Sequence, residues 1–429
     1  MGTVRYRVLA MAVCLAFITY LDRVCISVTA PSIMRDLGLT KLQMSFVFSA
    51  FTVAYGLFEI PSGWWGDKVG TRRVLMRIVV WWSTFTMATA AAFSYSSLLV
   101  IRFLFGIGEA GAWPNVAKTF SRWFPVSERG TAQGIFFMGA HLGGGVTPFI
   151  VVWLTSWLGW RMVFPIFGAI GFVWAAAWYT WFRDDPAEHP SVREPELLHI
   201  RDGRIAVART GHAGMWNSSI LFLCLMYFTQ TYGFYFFITW LPTYLEKQKG
   251  LAATQLSLMA GLPMLLSVIA DLTGGITTDR MTKRFGLRIG RSAVGGVSLF
   301  AAGIFVISGA YTSHALLSGL LIAMAGASAN FLLGAAWGAC VDIAGDRAGV
   351  VSAFMNTAGQ VGGALSPVVF ALLTEGKSDW SAPLYLTGVL YMLGALCWIG
   401  IRPEDGGRPR PRETPGLATP TPIPSSGTP

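Results

Sequence analysis

Apolar stretches of roughly 20 residues recur from one end of the chain to the other, the length a helix needs to cross a hydrocarbon core of about 30 Å. Nothing else in the sequence constrains the fold as strongly. Inside lipid every backbone N–H and C=O must be satisfied within its own segment, so these stretches are helices. Only 13% of residues are charged and 53% are hydrophobic, whereas soluble domains carry about 25% charged residues. The sequence predicts an all-α membrane protein of about twelve transmembrane helices, with the lipid bilayer as its surroundings.

The spans fall near 8–30, 43–65, 74–93, 97–120, 130–154 and 160–182, then 217–242, 255–278, 289–311, 314–341, 349–373 and 381–401. The first follows Arg5 and Arg7 as a signal peptide would, but it is too long and holds Asp22-Arg23, so it reads as a retained helix. Two six-helix bundles are expected, 1–182 and 217–401, with a polar cytoplasmic loop over 183–216 between them. Within that loop, residues 195–200 suit a short surface helix. The tail, 402–429, is rich in Pro, Ser, Thr and Gly and is expected to be disordered.

Net charge is +10, yet its distribution argues against nucleic acid. With the N-terminus inside, the cytoplasmic segments hold 22 Lys and Arg and the opposite loops 6. That asymmetry places both termini in the cytoplasm, and short tails suggest a bacterial inner membrane. All five cysteines fall within spans without ligand spacing, so no disulfide framework, metal or cofactor is expected. No nucleophile elbow or phosphate-cradling loop appears either, which argues against an enzyme or an ATP-driven pump.

The halves repeat. Gly63-x-x-x-Asp67-Lys68 recurs as Gly275-x-x-x-Asp279-Arg280, and an acid stands eight residues before each aspartate: Glu59 and Asp271. Arg129 to Pro148 parallels Arg347 to Pro367, which sets His141 opposite Gln360. Duplicated halves around a central loop mark a rocking transporter with its site at the interface; one such chain makes a complete pathway, so a monomer suffices.

Buried charges mark the working site. A charge at mid-bilayer costs roughly 2.5–3.5 kcal/mol on insertion scales, so it faces a cavity or a partner. Asp22 lies about 21 Å along the first span, counting 1.5 Å per residue. Arg102 enters the fourth span at a similar height, and Glu109 follows on the same face. Asp22 is therefore expected to pair with Arg102, leaving Arg23 to take a carboxylate in a fork. Asp22 and Glu109 are candidate proton carriers; the alternative is a charge network that only joins two helices. Tyr20, Tyr55, Trp337, Asn356 and Gln360 extend the site, with aromatic packing and interhelical hydrogen bonding as their alternatives. His141 can donate to a carboxylate and titrates near neutral pH, or else packs as a neutral residue in a Gly-rich helix.

The loop Gly63-Trp64-Trp65-Gly66-Asp67-Lys68-Val69-Gly70-Thr71-Arg72-Arg73 resembles the signature of the major facilitator superfamily. Tyr20-Leu21-Asp22-Arg23, the run from Arg102 to Glu109, and Trp123-Phe-Pro-x-x-Glu128-Arg129 resemble its anion:cation symporter family, which includes galactonate, glucarate, sialic-acid and vesicular glutamate carriers. The resemblance is stronger in the first half. It implies proton coupling at Asp22 and Glu109, an anion held by arginine, and a latch at Asp67, Lys68 and Arg72 with its second copy at Asp279 and Arg280. Glu59 and Asp271, near the cytoplasmic helix ends, read as inner-gate or cap partners. His141 departs from the glutamine of galactonate-type relatives. The function expected is symport of a sugar acid or other small carboxylate with protons; exchange, uniport and a non-transporting sensor remain alternatives.

Overall fold

The computed structural model describes residues 4–201, 218–251 and 253–403. The remainder of the central loop and nearly all of the tail lie outside the described residues. The helices are α1 (Val4–Leu37), α2 (Lys41–Val69), α3 (Thr71–Thr89), α4 (Tyr95–Glu109), α5 (Ala112–Trp123), α6 (Arg129–Trp181), α7 (Glu194–Arg201), α8 (Ser218–Thr239), α9 (Leu241–Lys247), α10 (Ala253–Phe285), α11 (Leu287–Tyr311), α12 (Ala315–Phe331), α13 (Leu333–Ala344), α14 (Ala348–Thr374) and α15 (Ala382–Gly400). No strand occurs among the described residues.

Among the described residues, nine stretches are long and apolar enough to cross a membrane. Two of them, Val126–Trp181 and Ala315–Thr374, are 56 and 60 residues long, enough for two crossings each. In the first, α6 turns back at Gly159, whose φ of 75° is open to glycine at little cost. With α3, whose 19 residues join α2 to α4, the described residues make twelve crossings. Phe149, Trp157, Val173 and Ile399 are each at least 70% exposed, which suits lipid and would be untenable in water.

Three crossings expected to be continuous are broken. The fourth stops at Glu109 and restarts after Gly111, whose φ is 86°. The tenth breaks between α12 and α13 at Leu332, and the seventh between α8 and α9 at Trp240. Breaks at corresponding places in two halves are typical where a carrier binds its cargo.

The turn after α2 is made by Gly70, at φ 95°; Gly63 and Gly66 lie within the helix. They serve close approach instead. A Cβ on Gly63 would stand 2.5 Å from Gly349 O, and one on Gly275 the same distance from Gly130 O. Each pair is a glycine crossing between the halves. Gly63→Leu is expected to hold that crossing apart, and Ala353→Cys, buried here beside Gly63, would then react with a membrane-impermeant thiol reagent.

Helix α7 forms where a short helix was expected, but it is docked rather than loose. Glu196 and Ile200 are buried, Arg5 N donates to Glu196 Oε1 at 3.0 Å, and His199 meets Glu128 at 2.8 Å.

Candidate functional site

The repeated aspartates work as caps across the seam. Asp67 accepts from Gly349 N and Val350 N at 2.9 and 2.8 Å, the start of α14. Asp279 accepts from Gly130 N and Thr131 N at 3.0 and 2.6 Å, the start of α6. A carboxylate on orphan amides at a helix N-terminus is favourable in hydrogen bonding and in dipole. Both caps sit at the end of the molecule that carries the chain termini.

The basic residues of the motif have other partners. Lys68 lies 5.1 Å from the Trp64 ring centre, and Lys118 on α5 makes the ion pair with Asp67 at 2.8 Å. Arg72 donates to Tyr179 O at 2.8 Å. Arg280 is exposed; buried Arg291 on α11 takes its place, meeting Asp279 and Asp342 at 3.2 Å each. Arg129 pairs with the other oxygen of Asp342 at 2.6 Å. Lys118, Arg291 and Asp342 are charged residues that sequence reasoning missed. Their signal, charges inside or at the ends of apolar spans, was present.

Glu59 and Asp271 are fully buried seam residues rather than caps. Glu59 accepts from Tyr55 OH at 3.3 Å, from Thr357 Oγ1 at 3.3 Å, and from Asn356 Nδ2. Asp271 Oδ2 meets His141 Nδ1 at 2.5 Å. Each acid thus reaches into the opposite half, as the internal repeat requires.

Above the seam lies a central cavity of about 80 Å³. Tyr20, Arg23, Tyr55 and His141 line one side, with Asn356 and Gln360 opposite. Trp113, Phe137, Tyr227, Gln230, Phe234, Tyr235 and Asn330 also line it and were not anticipated. A larger groove of about 930 Å³ runs outside between α2, α3 and α4, lined by Trp64, Trp65 and Trp81. It is almost wholly apolar and lies on the lipid-facing surface.

Three expectations are corrected. Trp337 is not a wall residue; it stands behind the cavity and donates to Tyr227 OH at 3.1 Å. Asp22 and Arg102 do not pair within hydrogen-bonding range: both Asp22 oxygens and Arg102 Nε lack partners. Asp22 faces Trp82 and Thr86 of α3, while Arg102 packs on the Phe105 and Phe51 rings at 4.2 and 5.2 Å. Nor is Arg23 free, because its Nε donates to Glu109 Oε1 in an ion pair. The reason is angular. Neighbouring helical residues point about 100° apart, so Asp22 and Arg23 cannot both face the fourth crossing.

Around the guanidinium of Arg23 stand four rings: Tyr55 at 4.8 Å, Phe51 at 5.2 Å, Trp113 at 5.4 Å and Tyr20 at 5.8 Å. Such a cage holds a cation that is only weakly hydrated. Glu109 Oε2 remains without a partner.

The major facilitator superfamily model matches residues 12–367. The chain belongs to that superfamily. It is 37% identical to a probable sulfoacetate transporter of Cupriavidus necator over 405 residues, covering 93% of this chain and 94% of that one. It is 29% identical to the hexuronate transporter of Bacillus subtilis, covering 91% and 93%, and 28% identical to a probable galactarate/D-glucarate transporter of Escherichia coli K12, covering 92% and 94%. These relatives are carriers, not enzymes, and they match the resemblance of the first- and fourth-span motifs. In fold the chain is similar to the proton:xylose symporter XylE, with a TM-score of 0.73 at 15% identity over 94% of this chain and 97% of that one. The human organic anion transporter MFSD10 gives 0.71 at 15% identity, over 92% and 99%. The superfamily member described here is therefore a membrane transporter.

Proposed function

We propose that this chain imports a small organic anion together with protons by alternating access. The observation that carries this reading is the Arg23–Glu109 pair at the cavity wall. Arg23 is the arginine lining the cavity, and a carboxylate already occupies it. An incoming anion competes with Glu109 for the same guanidinium. A proton on Glu109 removes the competitor, so anion and proton bind together. Asp22, buried behind with unpartnered oxygens, is the candidate second proton site, and Arg102 beside it tunes the acids.

The small cavity volume supports a compact cargo. The relative named for sulfoacetate supports the same size class. The moving bodies are 1–182 and 217–401, linked through 183–216, in a bacterial inner membrane with both termini cytoplasmic, and one chain suffices. The seam contacts named above lie at the terminal end or at the cavity wall, so the arrangement is one closed towards the cytoplasm.

The test is uptake into proteoliposomes. Accumulation should rise with an inward proton gradient. Glu109→Gln should lose gradient-driven accumulation while retaining substrate exchange. Unchanged proton dependence in Glu109→Gln and Asp22→Asn alike would remove the coupling claim.

A further inference from the structure

The cavity has a second basic group that the transport reading does not use. His141 lies on its wall, and the His141 ring and the Arg23 guanidinium flank the same Tyr20 ring, at 6.4 and 5.8 Å from its centre. Behind His141, Asp271 holds Nδ1 at 2.5 Å and is itself fully buried. An ionised carboxylate only accepts, so Nδ1 carries the hydrogen and Nε2 is the nitrogen left for a ligand. A carboxylate behind an imidazole fixes its tautomer and orientation.

We propose that His141, backed by Asp271, is a specificity-determining subsite that reads the second charged head of a short dianion whose first head sits on Arg23. The substrate class is a two-headed anion of few carbons, dicarboxylate or sulfocarboxylate, rather than a monoanion. The inference rests on the central cavity being the substrate site. Binding the second head draws a proton onto Nε2, which then donates to the anion. Binding a dianion therefore takes up one proton more than binding a monoanion.

The groups that face His141 are few. Tyr20 and Arg23 come from α1, Tyr235 from α8 and Asp271 from α10, with Tyr55 and Glu59 of α2 across the cavity and Glu109 beyond Arg23. From α13 and α14 come Leu333, Asn356 and Gln360, none of them charged. The opposite wall, with Gln230, Asn330 and Gln360, is neutral and polar; it accepts either kind of oxyanion head without adding charge.

The test uses the purified full-length protein in detergent, read by tryptophan fluorescence, since Trp113 lines the cavity. The probes are malonate and sulfoacetate as dianions, acetate and glycolate as monoanions. At about pH 7 wild type should prefer dianions by about tenfold. His141→Gln keeps an N–H for Asp271 but cannot become cationic; its dianion preference should vanish. Asp271→Asn should give the same loss through a misoriented ring, which guards against a folding defect in the first variant. A His141→Gln protein that keeps the wild-type preference overturns the proposal. Equal wild-type binding of both classes overturns it and leaves the transport reading standing. No binding of either class removes the cavity as the substrate site and both readings with it.

Discussion

Arg23→Ala is expected to abolish anion uptake and to cost the fold about 3–5 kcal/mol, the usual penalty for leaving one partner of a buried ion pair alone. Glu109 has no exposed side-chain surface, and Arg23 is its ion-pair partner. Two charge-assisted hydrogen bonds to a bound carboxylate, at about 1.5–3 kcal/mol each, correspond to at least a hundredfold in affinity. Stability and transport can be separated. Arg23→Ala with Glu109→Gln removes both charges, so the thermal midpoint should recover while uptake stays lost. Arg23→Lys keeps the charge but loses the fork and the planar surface that the four surrounding rings contact; it should fold well and transport weakly. A double variant as unstable as Arg23→Ala would show that the pair is not what Arg23 contributes to the fold.

Much of this was legible in the sequence because membrane helices announce themselves by length. Twelve crossings, the repeat and the two motif aspartates follow from apolar runs and two short patterns. Partner choice was not legible. A span in lipid is apolar on every face, so periodicity cannot say whether Trp113 or Trp81 turns inward; only Trp113 lines the cavity. Breaks in the fourth and tenth crossings depend on local turns at Gly111 and Leu332, and the apolar pattern runs straight through them. The expected Asp22–Arg102 pair failed because height along a helix was weighed without azimuth. Arg23 and Glu109 were both identified, yet their direct bond appears only when the two crossings are packed. His141 was flagged as a departure, but its partner Asp271 lies 130 residues away, beyond any local signal.

The second large effect is expected at the terminal end of the seam, where Arg291 bridges Asp279 and Asp342 with no exposed side-chain surface. Arg129 shares Asp342 from the other half. The cluster holds two carboxylates against two guanidiniums, so it is balanced only while both cations are present. Arg291→Leu leaves Asp279 buried without a counter-charge and loads Arg129 with the remaining acid, again about 3–5 kcal/mol. That energy falls on the closed arrangement, because water can reach both carboxylates once the halves part. The variant should therefore shift the equilibrium open rather than unfold the bundles. A cost of about 3 kcal/mol is more than a hundredfold in population. Spin labels at Arg73→Cys and Lys283→Cys, exposed positions on opposite halves, report it in nanodiscs once exposed Cys14 is replaced by serine. The distance distribution should move to longer values in Arg291→Leu, and Asp279→Asn should move it less because one donor pair is weakened rather than a charge stranded. If Arg291→Leu lowers the thermal midpoint with no change in the label distance, the cluster holds the second half together internally and is not a latch between the halves.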